Sequence, residues 1–175
     1  MFEQAQRNWY ALFVVTGDED KVKERLVYKL KQSDLKVVVP KRRLRERKGG
    51  IWDTKIRTLF PGYILLHGEI QMKEYALLKN IPGVIKLLGD KSKPVEISWY
   101  EMDVIKRLIC DNEIIGCSSI QLENQKIIVI DGPLLGLDGY IESIDKRKGR
   151  AKVRLNLMGE PRVVELSIAM VQSVS

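Results

Sequence analysis

The order of apolar runs predicts an α+β chain: a ferredoxin-like domain first, then a small β-barrel of SH3-like size. Three observations carry this. Through residue 109 the chain alternates strand-like and helix-like periods in the order β-α-β-β-α-β, closed by a further helix. From Gln125 onward it holds only short strands and Gly-rich turns. Between them the stretch CDNEIIGCSSIQL, 110–122, has no clear period and reads as a linker. The expected division is 1–109, 110–122 and 123–175.

Asn8 to Val15 is apolar and rich in aromatic and β-branched residues, which predicts a buried strand ending at Thr16-Gly17. Thr16-Gly17-Asp18-Glu19 fits a capping box, and Val22, Leu26 and Leu30 recur on one helical face behind it. KVVVP, 36–40, is a short strand ended by its proline. The charged stretch 41–57, with Gly49-Gly50 inside it, predicts a long exposed loop or flexible hairpin. Strand character returns from Arg57 to Leu66. A short helix follows over Met72 to Asn80 with Tyr75 and Leu78 inward, and Ile81-Pro82-Gly83 turns it into a strand over Val84 to Leu88. Ser98-Trp99-Tyr100-Glu101 reads as a second capping box ahead of the stripe Met102, Ile105, Leu108 and Ile109. Ile114 and Ile115 are apolar enough to dock. Beyond them KIIVI, YIESI, RAKVRLNL, RVVEL and MVQSV are the five expected strands of the barrel.

The 175 residues are 45% hydrophobic, as a packed core requires, and carry 30 Lys+Arg against 23 Asp+Glu, a net +7 that points to a polyanionic partner, nucleic acid first. No apolar run is long enough to cross a membrane, and the first residues lack a secretory pattern, so a cytoplasmic protein is expected. His67 is the single histidine, and Cys110 and Cys117 have no further metal-ligating residues around them; two free thiols and no metal site are expected. With no clustered carboxylate pair and no Gly-rich phosphate loop opening a helix, the chain offers no catalytic constellation, and neither an enzyme nor a cofactor is expected. No dimerisation motif is visible, and a monomer is the expectation.

Five stretches in order resemble the bacterial NusG family: WYALFVVTG at 9–17, LFPGYILL at 59–66, IPGVIKLLG at 81–89, KPVEIS at 93–98, and VIDGPLLGLDGYIESIDKRKGRAKVRL at 129–155. The resemblance implies an N-terminal NGN domain that sits on the clamp of RNA polymerase and suppresses pausing, and a C-terminal KOW barrel that recruits a second partner: a termination factor, a ribosomal protein or RNA. Carried over by position, Trp9, Tyr10, Phe60, Pro61, Gly62, Tyr63, Pro82 and Gly83 would form the polymerase-facing surface. Read from the residues, the Phe-Pro-Gly segment presents its aromatics at a fixed angle, which favours docking for Phe60, leaves Tyr63 divided between docking and core, and leaves Trp9 in the core.

Residues 146–154, KRKGRAKVR, hold Lys146, Arg147, Lys148, Arg150, Lys152 and Arg154 and no acid. If Ala151, Val153, Leu155 and Leu157 point inward, strand alternation puts Lys152 and Arg154 on the outer face, continuous with the turn before them. From residue 123 on there are eight basic and seven acidic side chains, so the asymmetry is local and predicts an RNA-binding ridge. A-form RNA is read by shape, backbone and loop bases, which makes a hairpin the expected target, with the arginines lending specificity and the lysines affinity. The second cluster, Lys41, Arg42, Arg43, Arg45, Arg47 and Lys48, is either a solvated loop or a contact to upstream DNA or RNA.

The basic ridge tilts the resemblance toward the specialised LoaP-type antiterminators, which recognise an RNA hairpin in an operon leader. A general elongation factor whose KOW domain binds protein is the alternative, and a KOW-containing ribosomal or assembly protein a more distant one. The β-branched C-terminal strands favour a barrel with no helical alternative.

Overall fold

Apolar, β-branched and aromatic residues at Trp9–Val14 form β1, and the apolar stripe of Glu19–Lys29 forms α1. In chain order there follow β2 (Lys36–Val38), β3 (Lys41–Lys48), β4 (Ile51–Thr58), β5 (Tyr63–His67), α2 (Met72–Lys79), β6 (Val84–Leu87) and the two-residue strands β7 (Gly89–Asp90) and β8 (Lys93–Pro94). Then come α3 (Trp99–Ile109), β9 (Ile114–Ile115), β10 (Ser118–Glu123), β11 (Lys126–Asp131), a 3₁₀ turn (Asp138–Tyr140), β12 (Ile141–Asp145), β13 (Arg150–Leu157) and β14 (Glu160–Met170). These come from a computed structural model that describes residues 8–90, 93–109 and 113–172.

The chain divides into two compact units, 1–40 with 60–99, and 41–59 with 100–175. In the first, four antiparallel strands lie in the order β2-β5-β1-β6. One face of the sheet packs Tyr10, Leu12, Val14, Val37, Ile64 and Leu66 against Val22 and Leu26 of α1, Leu30 at its C-terminal end, and Leu78 of α2. At about 25 cal/mol per Å² this apolar burial is the main stabilising term of the unit.

In the second unit five strands run in the order β11-β10-β14-β13-β12, with β10 and β14 parallel and the other neighbours antiparallel. Along β13, Ala151, Val153, Leu155 and Leu157 are buried while Lys152, Arg154 and Asn156 are exposed, the alternation read from the sequence. From Ile114 on, the stretch read as linker is structured: Ser118–Glu123 is β10, an inner strand of this sheet, and Ile115 before it is 1% exposed, while 110–112 lie outside the described residues. Of MVQSV, Met170 is the last residue of β14, which runs without a break from Glu160, and residues 173–174 lie outside the described residues.

Neither expected capping box forms as written. Glu101 sits where a box needs it, but α1 begins at Glu19 itself, behind Asp18; both glutamates are buried, and both carboxylates serve backbone donors of another segment. Glu19 accepts from Gly62 N–H at 2.8 Å besides Gly17 N–H at 3.0 Å. Glu101 accepts from Met158 and Gly159 N–H at 2.8 and 2.9 Å, at the turn between β13 and β14. A box-like bond occurs instead at α2, where Glu74 accepts from Gln71 N–H at 3.1 Å.

Candidate functional site

In the first unit two turns of one kind meet. Tyr63 N–H donates to Phe60 C=O at 3.1 Å and Val84 N–H to Ile81 C=O at 3.1 Å, closing Phe60-Pro61-Gly62-Tyr63 and Ile81-Pro82-Gly83-Val84. Each has Pro second and a positive-φ Gly third, Gly62 at +85° and Gly83 at +93°, which is the type II turn. The end of β1 joins them: Val14 N–H donates to Gly62 C=O at 2.9 Å and Val15 N–H to Gly83 C=O at 3.0 Å. Helix α1 clips both, through Glu19 on Gly62 and through Arg25, which donates to Pro82 C=O at 2.7 Å. A Cβ on Gly83 would lie 2.6 Å from Val22 Cγ2, so only glycine allows the helix this close.

Six of the eight residues placed on the polymerase-facing surface therefore come together here, with different exposures. Pro61 and Pro82 are exposed, Tyr63 and Gly83 half-buried, and Gly62 buried. Phe60 is 2% exposed, which corrects the expectation that its turn presents it to solvent: the type II turn puts Pro61 outward and its first residue inward. Tyr63 packs against half-buried Phe13, ring centroids 5.5 Å apart, an aromatic pair the sequence did not single out. Trp9 and Tyr10 lie at the other end of β1, roughly 17 Å away along the strand. Trp9 stacks on His67 at 4.2 Å and Tyr10 is buried in the core.

In the second unit the stretch read as a loop or flexible hairpin is a regular one: β3 and β4 pair over eight residues each, from Lys41↔Thr58 to Lys48↔Ile51. Gly49 and Gly50, at φ +59° and +82°, make the two-residue type I′ connection that matches strand twist. Pairing fixes two faces. One carries Arg42, Leu44, Glu46 and Lys48 with Ile51, Asp53, Lys55 and Arg57; the other carries Lys41, Arg43, Arg45 and Arg47 with Trp52, Thr54, Ile56 and Thr58. Both acids lie on the first face and are paired there, Glu46 with Arg57 at 2.7 Å and Asp53 with Lys55 at 2.8 Å. The hydrogen bonds from Arg57 hold the Glu46 carboxyl below its usual range. Leu44 is buried, and Arg42 donates to Glu165 C=O at 2.8 Å; burial lowers the pKa of its guanidinium. Arg42 is thus a structural residue of the unit, whereas Arg43, Arg45, Arg47 and Lys48 are exposed.

The edge of β3 pairs with β9 only at Lys41 and Arg42. Beyond that its carbonyls are met by side chains: Ser167 Oγ donates to Arg43 C=O at 2.5 Å and Arg150 to Arg45 C=O at 2.9 Å. Arg150 also bonds Glu165 at 2.8 Å and is largely buried. Arg154 is paired with Glu142. The expectation of an unmixed basic ridge is corrected accordingly: Glu142, Asp145 and Glu165 come from strands adjoining β13, and they share its surface because pairing brings distant segments side by side. Lys146, Arg147, Lys148 and Lys152 are exposed and make no ion pair among the described residues. With Ser143, Asp145, Arg150 and Glu165, three of these four side chains, Lys146, Lys148 and Lys152, line a groove of about 460 Å³.

Cys117 is a free thiol, and Cys110 lies outside the described residues. No helix among the described residues is long and apolar enough to cross a membrane.

A family model described as transcription termination factor nusG matches residues 7–106. The transcription termination/antitermination protein NusG of Rickettsia felis is 30% identical over 97% of this chain and 92% of its own. That of Bacillus subtilis is 29% identical over 97% and 99%. A solved structure of Thermotoga maritima NusG shares the fold at a TM-score of 0.58 and 23% identity, covering 92% of this chain and 93% of that one. Matched by the family model over more than half its length and by a relative across nearly all of it, the chain belongs to the NusG family of transcription termination and antitermination factors.

Proposed function

We propose that the chain is an RNA-addressed antitermination factor of the LoaP kind. It docks on elongating RNA polymerase through the paired Pro-Gly turns, with Pro61, Pro82, Tyr63 and Gly83 at the contact and Phe60 and Gly62 supporting them from beneath. It binds an RNA hairpin through the turn before β13, where Lys146, Arg147 and Lys148 meet Lys152. The observation that carries the reading is that these four side chains stand exposed with no acid paired to them among the described residues, while Arg150 and Arg154 are engaged. The RNA-contacting set is thus narrower than the basic run. Division into an NGN part through 109 and a KOW part from 123 belongs to the same reading, as does action as a monomer.

A general elongation factor remains the second reading, favoured by the three acids that dilute the ridge. Single-round transcription by bacterial RNA polymerase through an intrinsic terminator separates the two. On templates with and without the leader of a neighbouring operon, readthrough that needs the leader is expected. Readthrough indifferent to it would leave a general factor and a solvated ridge.

A further inference from the structure

We infer that the exposed face of the β3–β4 hairpin binds single-stranded RNA, with Trp52 as a stacking platform and Arg43, Arg45 and Arg47 as its phosphate contacts. Four observations bear on it. The face carries four basic side chains and no acid, because the register sends Glu46 and Asp53 to the opposite side and pairs them there. Arg43, Arg45 and Arg47 are exposed and have no acidic partner among the described residues. Alternate residues on a strand stand roughly 6.7 Å apart, so the three guanidinium groups form a row of about 13 Å, a few nucleotides long. Trp52 is 36% exposed on the same face, directly opposite Arg47, with the Arg45 guanidinium 5.1 Å from its ring centroid and Ile56 exposed nearby.

An aromatic ring among cations on a rigid sheet is the arrangement that takes unpaired bases: each base offers a π face and each phosphate a charge. A duplex offers stacked bases only at its ends, so Trp52 favours a single strand. RNA is the occupant through the reading given above, on which this inference rests. The hairpin's backbone is bonded to Arg150 and Ser167 of the barrel, so the strand leaving a stem bound at Lys146–Lys148 meets a cationic surface of the same unit.

The test is fluorescence anisotropy on the full chain with four labelled probes: a blunt RNA stem-loop, the same stem-loop with a ten-nucleotide single-stranded tail, the tail RNA alone, and its DNA counterpart. Expected is tighter binding of the tailed than of the blunt stem-loop. Trp52→Ala should weaken tail binding about tenfold, with Trp52→Phe restoring most of it. Arg43→Ala/Arg45→Ala/Arg47→Ala should lower the slope of log K against log salt for the tail by about 2. Tail binding without stem-loop binding would sink the hairpin-RNA reading and leave this one standing. A tail that adds nothing, or Trp52→Ala without effect in a folded protein, overturns the inference. So does a DNA tail bound more than about tenfold tighter than the RNA.

Discussion

Phe60 and Trp52 lie eight residues apart, and their surroundings point both to the surface. Phe60 adjoins a Pro-Gly pair that looks built to display it, whereas Trp52 sits in a charged stretch without evident structure. The structure reverses the first and keeps the second: Phe60 is 2% exposed and Trp52, in the stretch read as exposed, 36%. Local stiffness sets a turn's shape but not which way its flanking side chains face. That is decided by packing: Trp52 shares a face of the hairpin with exposed Thr54 and Ile56, whereas Phe60 turns into the core and leaves Pro61 outside.

The difference can be broken by substitution. Phe60→Ala should cost about 3–5 kcal/mol of stability, as large-to-small changes in a core do, measured by denaturant unfolding; a fully stable variant that loses polymerase would return Phe60 to the surface. Next in size, Arg150→Ala removes a guanidinium that serves both Glu165 and the Arg45 carbonyl and should cost about 1–3 kcal/mol, while reducing hairpin-RNA affinity less than Lys146→Ala does. The reverse order would make Arg150 an RNA contact after all. Trp52→Ala should shift the melting midpoint hardly at all, within about 0.5 kcal/mol, as surface changes do; a large loss would mean the ring holds the hairpin together. Smallest is a pH effect. Arg57 lowers the pKa of Glu46 in the folded chain, so the pair's contribution is full above the unfolded carboxylate pKa and is lost as pH falls through the folded value. The advantage of wild type over Glu46→Gln in acid melts should be small and should vanish as pH falls through the lowered folded pKa of Glu46, the pair being exposed and weak.

Much of the fold was legible because apolar periodicity is local: β1, α1, α2, α3 and the inside-outside alternation of β13 lie where their side chains put them. The capping boxes were misread because a Glu three residues after a Ser or Thr satisfies the pattern wherever its carboxylate finally points. Glu19 and Glu101 point to Gly62 and to Met158 with Gly159, donors far away in sequence. Strand β10 was missed because SSIQLE is short and polar, and only pairing with β11 and β14 makes it a strand. The basic run of the barrel was legible as a run and illegible as a surface, since Glu142 and Glu165 reach it through strand pairing. For the hairpin a signal was present and unused: arginine at every second position, 43, 45 and 47, and Trp52, Thr54 and Ile56 at the same step beyond the Gly-Gly pair.

The register that sorts this hairpin has a bearing on how its length can change. One residue inserted into β3 on the tip side of Arg45 would carry Arg47 to the face of Glu46's partners and turn Glu46 toward Trp52; two inserted residues would restore the sorting. Related chains that keep this surface should therefore differ in hairpin length by even numbers. Odd differences should coincide with loss of the tryptophan.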